Sequence, residues 1–412
     1  MTIQLQKTIL IISIFWGVLG CSSKRIPFKT TSVVNEKIGT MSIVLNPYKN
    51  IIWDASHQHK AALHVHTIQS DGYNSVDSVV HAFRNAGFDI LSITDHDKME
   101  PNAQFERGRI DWSTFDKIGT SFPKDPKPKN YPFNTTWPWT DFGTPSPGEL
   151  GMVGIEGAEI SYRHHMNSFF SSYSTGYTGA DENEQLSAMQ KKGGLAIFNH
   201  PSDPAPFSKG GRRSLEWYVE HFKKSPPDFL IGIDVSGEWE GTLALWDQML
   251  VRFMPNRPIW GFCTSDMHRL PKDLNQSPHT IFVLNELTDL GVRKGMENGQ
   301  FYSTRSTRGG GGAYPTIERI DVDSVAGTIT IHALDCDTIK WISAPESLEP
   351  LGDPNKSNQP WPPGRTVHEG TTLNYRKTPN IKNYVRAELL RTFNGRVYHT
   401  FTNPFGMSIQ NN

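Results

Sequence analysis

The chain has 412 residues, with 41 Lys and Arg against 42 Asp and Glu, a net charge of −1 and a pI near 7.0. That balance leaves no global basic field to gather nucleic acid, which argues against a dedicated DNA-binding role; a small anionic substrate stays open, because bound metal ions can supply local positive charge. The length exceeds one ordinary core, so one large and one small domain are expected.

Residues 1–20 read as targeting rather than fold. Lys7 precedes an apolar run from Thr8 to Gly20, short for a membrane span and of the right length for a signal-peptide core. The stretch Val18-Leu19-Gly20-Cys21 resembles a bacterial lipobox, which implies a lipidated Cys21, attachment to the membrane through that lipid, and a place in the bacterial cell envelope, facing the periplasm or the surface. An uncleaved anchor or a non-lipidated signal are the alternatives. Cys263 and Cys336 then remain, and they fall in different expected domains, so no disulfide framework is expected.

Residues 21–54 read as a tether and lead-in segment. Ala61 to Thr67 alternates as a strand, and Asp71-Gly72 marks a turn. Ser75 is a natural N-cap, Asp77 suits a first helical turn, and Val76, Val79, Val80 and Phe83 repeat at helical spacing until Gly87. A strand from Ile90 to Thr94 completes a β-α-β unit, which implies parallel strands. The alternation continues with strands at Met152–Ile160, Leu195–Phe198, Phe229–Val235 and Pro258–Thr264, and helices at Glu184–Lys192, Leu215–Lys223, Thr242–Phe253 and Leu290–Asn298. About seven β-α steps predict an α/β barrel of parallel strands, incomplete or distorted.

Histidines and carboxylates gather at the ends of these strands: His64-Val65-His66, Ser70-Asp71, Thr94-Asp95-His96, Gly157-Ala158-Glu159, His164-His165, Asn199-His200-Pro201 and Ser265-Asp266-Met267-His268. Imidazole and carboxylate are ligands for borderline divalent metals, and the C-terminal strand ends of such a barrel form its mouth. Ligands two hundred residues apart can therefore meet. In this order the motifs resemble those of the PHP (polymerase and histidinol phosphatase) superfamily, over residues 55–308. The resemblance implies a distorted (β/α)7 TIM-like barrel with two or three divalent ions, zinc, manganese or iron, held by His64, His66, Asp71, His96, Glu159, His165, His200, Asp266 and His268. It places Glu159, Asp266 and His268 at the reacting centre, with Glu159 bridging two ions. Some members carry a histidine where this chain has Gly72.

Within that frame the members of each pair Glu156/Glu159 and His164/His165 should diverge on a strand, so only one can face the mouth; the resemblance favours Glu159, which follows Gly-Ala, and His165, in His165-Met166-Asn167. Asp95 is placed to orient a ligand. His57, His59 and His164 read as supporting or surface residues, and His81 and His221 as solvated helix positions. Arg163, Arg269 and Arg305 are candidates for holding phosphate oxygens, with Arg305 preferred because it follows the apolar segment Phe301-Tyr302.

Two loops stand at the mouth. The proline-rich insertion 121–148, with Trp137-Pro138-Trp139 at its centre, reads as a substrate-selecting lid or as structural padding. The second loop, Asp203 to Arg213, carries Lys209-Gly210-Gly211-Arg212-Arg213. Residues 309–314, which begin with four glycines, read as a linker. Short alternating segments at Ile317–Val322, Thr328–Ala333, Thr338–Ile342, Tyr384–Leu390 and Val397–Phe401 predict a small antiparallel β-sandwich over 315–412. This part resembles the β-domain appended to some secreted PHP proteins.

The resemblance implies a phosphoesterase with metal-activated hydroxide, expected to act on a small phosphate monoester or diester; the charge balance, with no dense basic run, leaves no specific nucleic-acid partner expected. An amidohydrolase-like hydrolase, a nuclease, and a non-catalytic metal- or glycan-binding lipoprotein are the alternatives on the same fold.

Overall fold

A computed structural model describes residues 40–96, 136–161, 163–171, 173, 180–201, 213–236, 241–272, 274–306, 312–351 and 361–410. Cys21 and the run before it, insertion residues 121–135, the loop 203–212 and Gly309–Gly311 lie outside the described residues.

In chain order the first elements are β1 (Thr40–Leu45), β2 (Gln58–Ala62), α1 (Val76–Asn85), β3 (Ile90–Leu91), β4 (Val153–Gly154), β5 (Gly157–Ile160) and β6 (Met166–Phe169). There follow α2 (Glu182–Lys191), β7 (Leu195–Phe198), α3 (Leu215–Lys224), β8 (Leu230–Asp234), α4 (Thr242–Phe253), β9 (Trp260–Phe262), β10 (His279–Val283), α5 (Asp289–Asn298) and β11 (Phe301–Ser306). Local chemistry accounts for the helix starts. Ser75 accepts a hydrogen bond from the Ser78 amide at the head of α1, and Asp181 and Glu184 form a reciprocal capping box on α2. Past α1, Gly87 takes φ +76°, a left-handed conformation that only glycine adopts at no steric cost. One face of α1 buries Val76, Val79, Val80 and Phe83 against Leu91 and Ile93.

The fold is mixed α/β with several sheets. β2, β3 and β4 pair in parallel, as do β7, β8 and β9, while β5, β6 and β7 pair antiparallel. Among the described residues these strands make two arcs rather than one closed hydrogen-bonded barrel. The arcs touch through two isolated parallel bridges, Val65–Met267 and His96–Glu159. The expected single strand Met152–Ile160 is two short ones, broken at Ile155-Glu156. Ladder bonds are given up where the backbone turns to aim its polar side chains. Beneath them lies an apolar plug fed from both arcs, including Ala61, Leu63, Ile90, Ile197, Ile231, Phe262, Phe282 and Phe301. Each large side chain fully buried there is worth roughly 1.5–3 kcal/mol.

The remaining strands are β12 (Thr316–Asp323), β13 (Thr328–Leu334), β14 (Thr338–Ser343), β15 (Arg365–Glu369), β16 (Thr372–Asn374), β17 (Tyr384–Phe393), β18 (Arg396–Thr402) and β19 (Phe405–Gln410). β12, β13 and β16 form a three-stranded antiparallel sheet. The others extend the sheet that holds β2: β18 pairs with β11, and β19 with β1. A buried ion pair ties this region to α4. Arg386 donates two hydrogen bonds of 2.8 Å to Asp247, which also accepts from Tyr384 Oη at 3.0 Å and the Gly364 amide at 2.8 Å.

His279, on β10, is buried against Phe88 and Tyr314, and its Nδ1–H donates to the Ser277 carbonyl. Burial disfavours the imidazolium and lowers its pKa to about 4. Between that value and about 6.5 the unfolded chain binds a proton the folded chain does not, so stability falls as pH drops through this window. Urea unfolding at pH 7 and pH 5 should therefore differ by about 2 kcal/mol more in the wild type than in His279→Phe. An equal pH dependence in both proteins would remove His279 as the cause.

Candidate metal centre

The nine residues quoted as candidate ligands converge at the junction of the two arcs. His64 and His66 follow β2, where the His66 amide donates to the Met267 carbonyl at 2.8 Å and pins the segment carrying Asp266 and His268. His96 follows β3 and bridges to Glu159 on β5. His165 immediately precedes β6, and His200 follows β7. Asp71, in the turn before α1, closes the group from the side.

Glu159 is the hub. Its Oε1 lies 3.3 Å from His64 Nε2, 3.0 Å from His165 Nδ1 and 3.3 Å from His200 Nε2. Its Oε2 lies 2.8 Å from His96 Nδ1 and 3.6 Å from His66 Nε2. Asp266 Oδ1 is 3.1 Å from His64 Nε2 and 3.0 Å from His66 Nε2. Asp71 Oδ2 stands 3.2 Å from His268 Nε2 and 3.5 Å from His96 Nε2. Four groups have donor atoms all within 4.8 Å of one another: His66–Asp71–His96–His268, His64–Glu159–His200, His64–His66–Asp266 and His96–Glu159–His165.

Electrostatics follow from three carboxylates, Glu159 buried and Asp71 and Asp266 partly buried, among six imidazoles. Glu159 and Asp266 are held well below the usual carboxylate range, burial opposing and the neighbouring histidines overriding it; Asp71 is also lowered, through His268 and His96. Against their own burial, His96 is pushed up to about 10 and His268 to about 9, and His64 and His200 are raised too. His66 goes the other way, lowered by burial and by His268 and His96. Protons thus neutralise a cluster whose donors are those of a cation site, and cations that bind there displace them.

A divalent metal fits these residues on a further ground. His66 Nε2 and Asp266 Oδ1 are buried and 3.0 Å apart, yet neither has an aligned hydrogen-bond partner. A shared cation would satisfy both, where an unpaired buried polar atom costs about 1–3 kcal/mol. His200 and Asp266 also hold positive φ, +25° and +46°, a conformation costing on the order of 1–3 kcal/mol for each such residue.

Supporting contacts fix the ligand shell. Asp95 accepts hydrogen bonds from the Thr67 and Ser70 amides and from both their hydroxyls, holding the loop that leaves His66. Thr94 Oγ1 meets His64 Nδ1 at 2.7 Å, and Ser161 Oγ meets His96 Nδ1. Sequence reasoning missed two amides. Asn199 Nδ2 donates to Glu159 Oε1 at 2.9 Å and to Asn167 Oδ1 at 2.8 Å, and Asn167 donates to the Leu63 carbonyl. Both stand beside quoted ligands, in Asn199-His200 and His165-Met166-Asn167. The backbone leaves no room at Gly72, where an added Cβ would lie 2.6 Å from His66 carbonyl carbon.

Other singled-out residues lie elsewhere. Glu156 is half-buried outside the cluster, and burial raises its carboxyl. His164 packs among Phe198, Trp217 and Tyr218, with Tyr218 Oη 3.3 Å from its Nε2. His57 pairs with Asp54 and His59 with Asp89, while His81 lies near Asp77. His221 is buried rather than solvated: its ring lies 3.9 Å from that of Trp217, because the apolar face of α3 is wider than its spacing suggests. Trp139 is 1% exposed in the core beside α1, which removes that ring from any substrate surface. Arg305 is in none of the donor groups; its guanidinium lies 5.4 Å over the Phe401 ring. Cys263 and Cys336 are both free.

No family model matches the chain, and no curated protein matches it. The solved structures it resembles include proteins described as metal-dependent phosphoesterases and an endonuclease. A two-domain protein from Bacteroides vulgatus containing a predicted PHP-like metal-dependent phosphoesterase is 16% identical, with 85% of this chain and 94% of that one covered at a TM-score of 0.47. The lesion-specific endonuclease Q of Pyrococcus furiosus is 14% identical over 58% of this chain and 56% of its own, at 0.37. A protein from Bifidobacterium adolescentis described as a metal-dependent phosphoesterase is 15% identical over 57% and 94%, at 0.32.

Proposed function

We propose that the chain is a metal-dependent phosphoesterase of the PHP type, acting on a small phosphate monoester or diester. The observation that carries this is the donor set itself: nine His, Asp and Glu side chains in overlapping groups, two of which share Glu159, with two buried donor atoms, His66 Nε2 and Asp266 Oδ1, lacking any hydrogen-bond partner. Overlapping groups suit two or three ions rather than one. Divalent ions held there would lower the pKa of bound water and neutralise charge on a phosphoryl group.

The chain's own residues do the rest. Glu159 would help hold the ions together with His64, His165 and His200 beside its Oε1 and His66 and His96 beside its Oε2. Asp71 and His268 would complete the outer group. Asp95, Thr94, Ser161 and Asn199 hold the ligands in place, and the apolar plug keeps water from below. The same proposal includes a distorted barrel over 55–308, a β-sandwich over 315–412, and lipid attachment at Cys21 in the cell envelope. Asp266 and His268 stand with Glu159 at the reacting centre.

The test is metal content and turnover in one preparation. Protein from residue 22 onward, reconstituted with Mn²⁺, Zn²⁺ or Fe²⁺, is expected to bind at least two ions per chain and to hydrolyse generic phosphomonoesters or diesters. A chelator should abolish turnover, and added metal restore it. Fewer than one ion per chain in every reconstitution overturns the centre. Turnover of amides or of DNA oligonucleotides alone would keep the centre and overturn the substrate class.

A further inference from the structure

The C-terminal strands bring polar groups to the mouth that the metal centre does not use. β11 and β2 are each antiparallel to β10, so they run the same way, and Thr280 of β10 faces Ala61 on one side and Ser303 on the other. Two residues on from that level stand Leu63, just before His64, and Arg305. Ser303 Oγ donates to the Gly261 carbonyl and accepts from the Cys263 amide, so its face of the sheet is turned to β9. Arg305, two residues along, shares that face. It therefore lies at the level of the first ligands, two strand spacings away, roughly 10 Å.

The next strand supplies its partner. Arg305 pairs directly with His399 of β18. The His399 Nδ1–H donates to Glu388 Oε1 at 2.8 Å, while its Nε2 is buried without a hydrogen-bond partner. Phe401 fills the floor between them, its ring 5.4 Å from the Arg305 guanidinium and stacked 5.8 Å from that of His399. Glu388 is held below the usual range despite burial, by His399, Arg386 and Arg305. With Nδ1 turned to a carboxylate, the imidazole's second ring nitrogen, Nε2, is the atom left to meet a ligand, and a guanidinium offers a fork of donors.

We propose that Arg305 and His399, oriented by Glu388, form an oxyanion subsite on the C-terminal sheet, roughly 10 Å from the metal ligands, that holds a second phosphate or carboxylate group of the substrate. Its part in selecting substrate rests on the phosphoesterase reading. The anion site itself does not.

Calorimetry with inorganic phosphate and with malonate, on the full chain both as purified and stripped of metal, separates the two. One oxyanion or both should bind the stripped wild type, and Arg305→Gln and His399→Gln should each weaken that binding tenfold or more. Arg305→Lys, which keeps the charge, should weaken it less, and His66→Ala should leave it unchanged. Melting temperatures of the variants show whether they fold. Binding lost in His66→Ala but kept in Arg305→Gln and His399→Gln overturns the subsite, as does a stripped wild type that binds neither anion. A protein that binds phosphate through Arg305 and His399 yet hydrolyses no phosphoester keeps the subsite and loses the proposed function; the reverse pattern loses the subsite alone.

Discussion

Glu159→Gln is expected to reduce kcat/KM on the order of 10³-fold or more, about 4 kcal/mol of transition-state stabilisation, and to take bound metal below one ion per chain. The side chain keeps its shape but loses its charge, and it exchanges one acceptor oxygen for an amide NH₂ that cannot ligate. Glu159 is 1% exposed and reaches five imidazoles, so no neighbour can replace it. Elemental analysis and turnover decide the matter, with circular dichroism to check the fold. Glu156→Gln is the matched control: three residues away, half-buried and outside the cluster, it should leave turnover within about twofold, as a change that touches none of the candidate ligands. Full metal occupancy and turnover in Glu159→Gln would remove the residue from the centre.

The second large effect is on stability. Asp247→Asn should destabilise the fold by about 3–5 kcal/mol, because it leaves the Arg386 guanidinium buried without its counter-charge. The side chains are 2% and 0% exposed, and the guanidinium also lies 5.1 Å over the Trp246 ring, so water cannot replace the carboxylate. A double variant, Asp247→Leu with Arg386→Met, should recover most of the loss, since replacing a whole buried pair with apolar groups is often neutral. Denaturant midpoints of Asp247→Leu, Arg386→Met and the double variant measure the coupling. A loss under 1 kcal/mol in Asp247→Asn would show that the pair is hydrated and contributes little.

Much of the candidate site was legible because imidazole and carboxylate donors are chemically distinctive and stand at strand ends. His64, His66, His96, His200, Asp266 and His268 could be read from short motifs without knowing how the strands pair. The amides could not: an asparagine that bonds a carboxylate oxygen has the same one-dimensional signature as one in a turn, so Asn199 and Asn167 were passed over. Strand limits failed for a related reason. Ala61 to Thr67 alternates like one strand, but β2 ends at Ala62, after which Val65 bonds across to Thr94 and His66 to Met267. The antiparallel turn of β5 into β6 was hidden because β6 is four residues long and begins beside a ligand, where helix-strand alternation has no marker. Buried His221 was misread from its charge type, although Trp217 one turn away offered it an aromatic face.

The pairing of β1 with β19 carries a consequence for how the molecule assembles. Ser42 Oγ bonds the Ser408 carbonyl across 366 positions of chain. β1 has no other strand partner among the described residues, and β18 must dock on β11 before the sheet behind the first ligands is complete. Residues 40–45 therefore wait through synthesis of the intervening chain for partners some 360 positions later, and contacts of that separation are slow to form. The final closure is a late event, and until it happens one flank of the sheet is an open edge to which another chain can add.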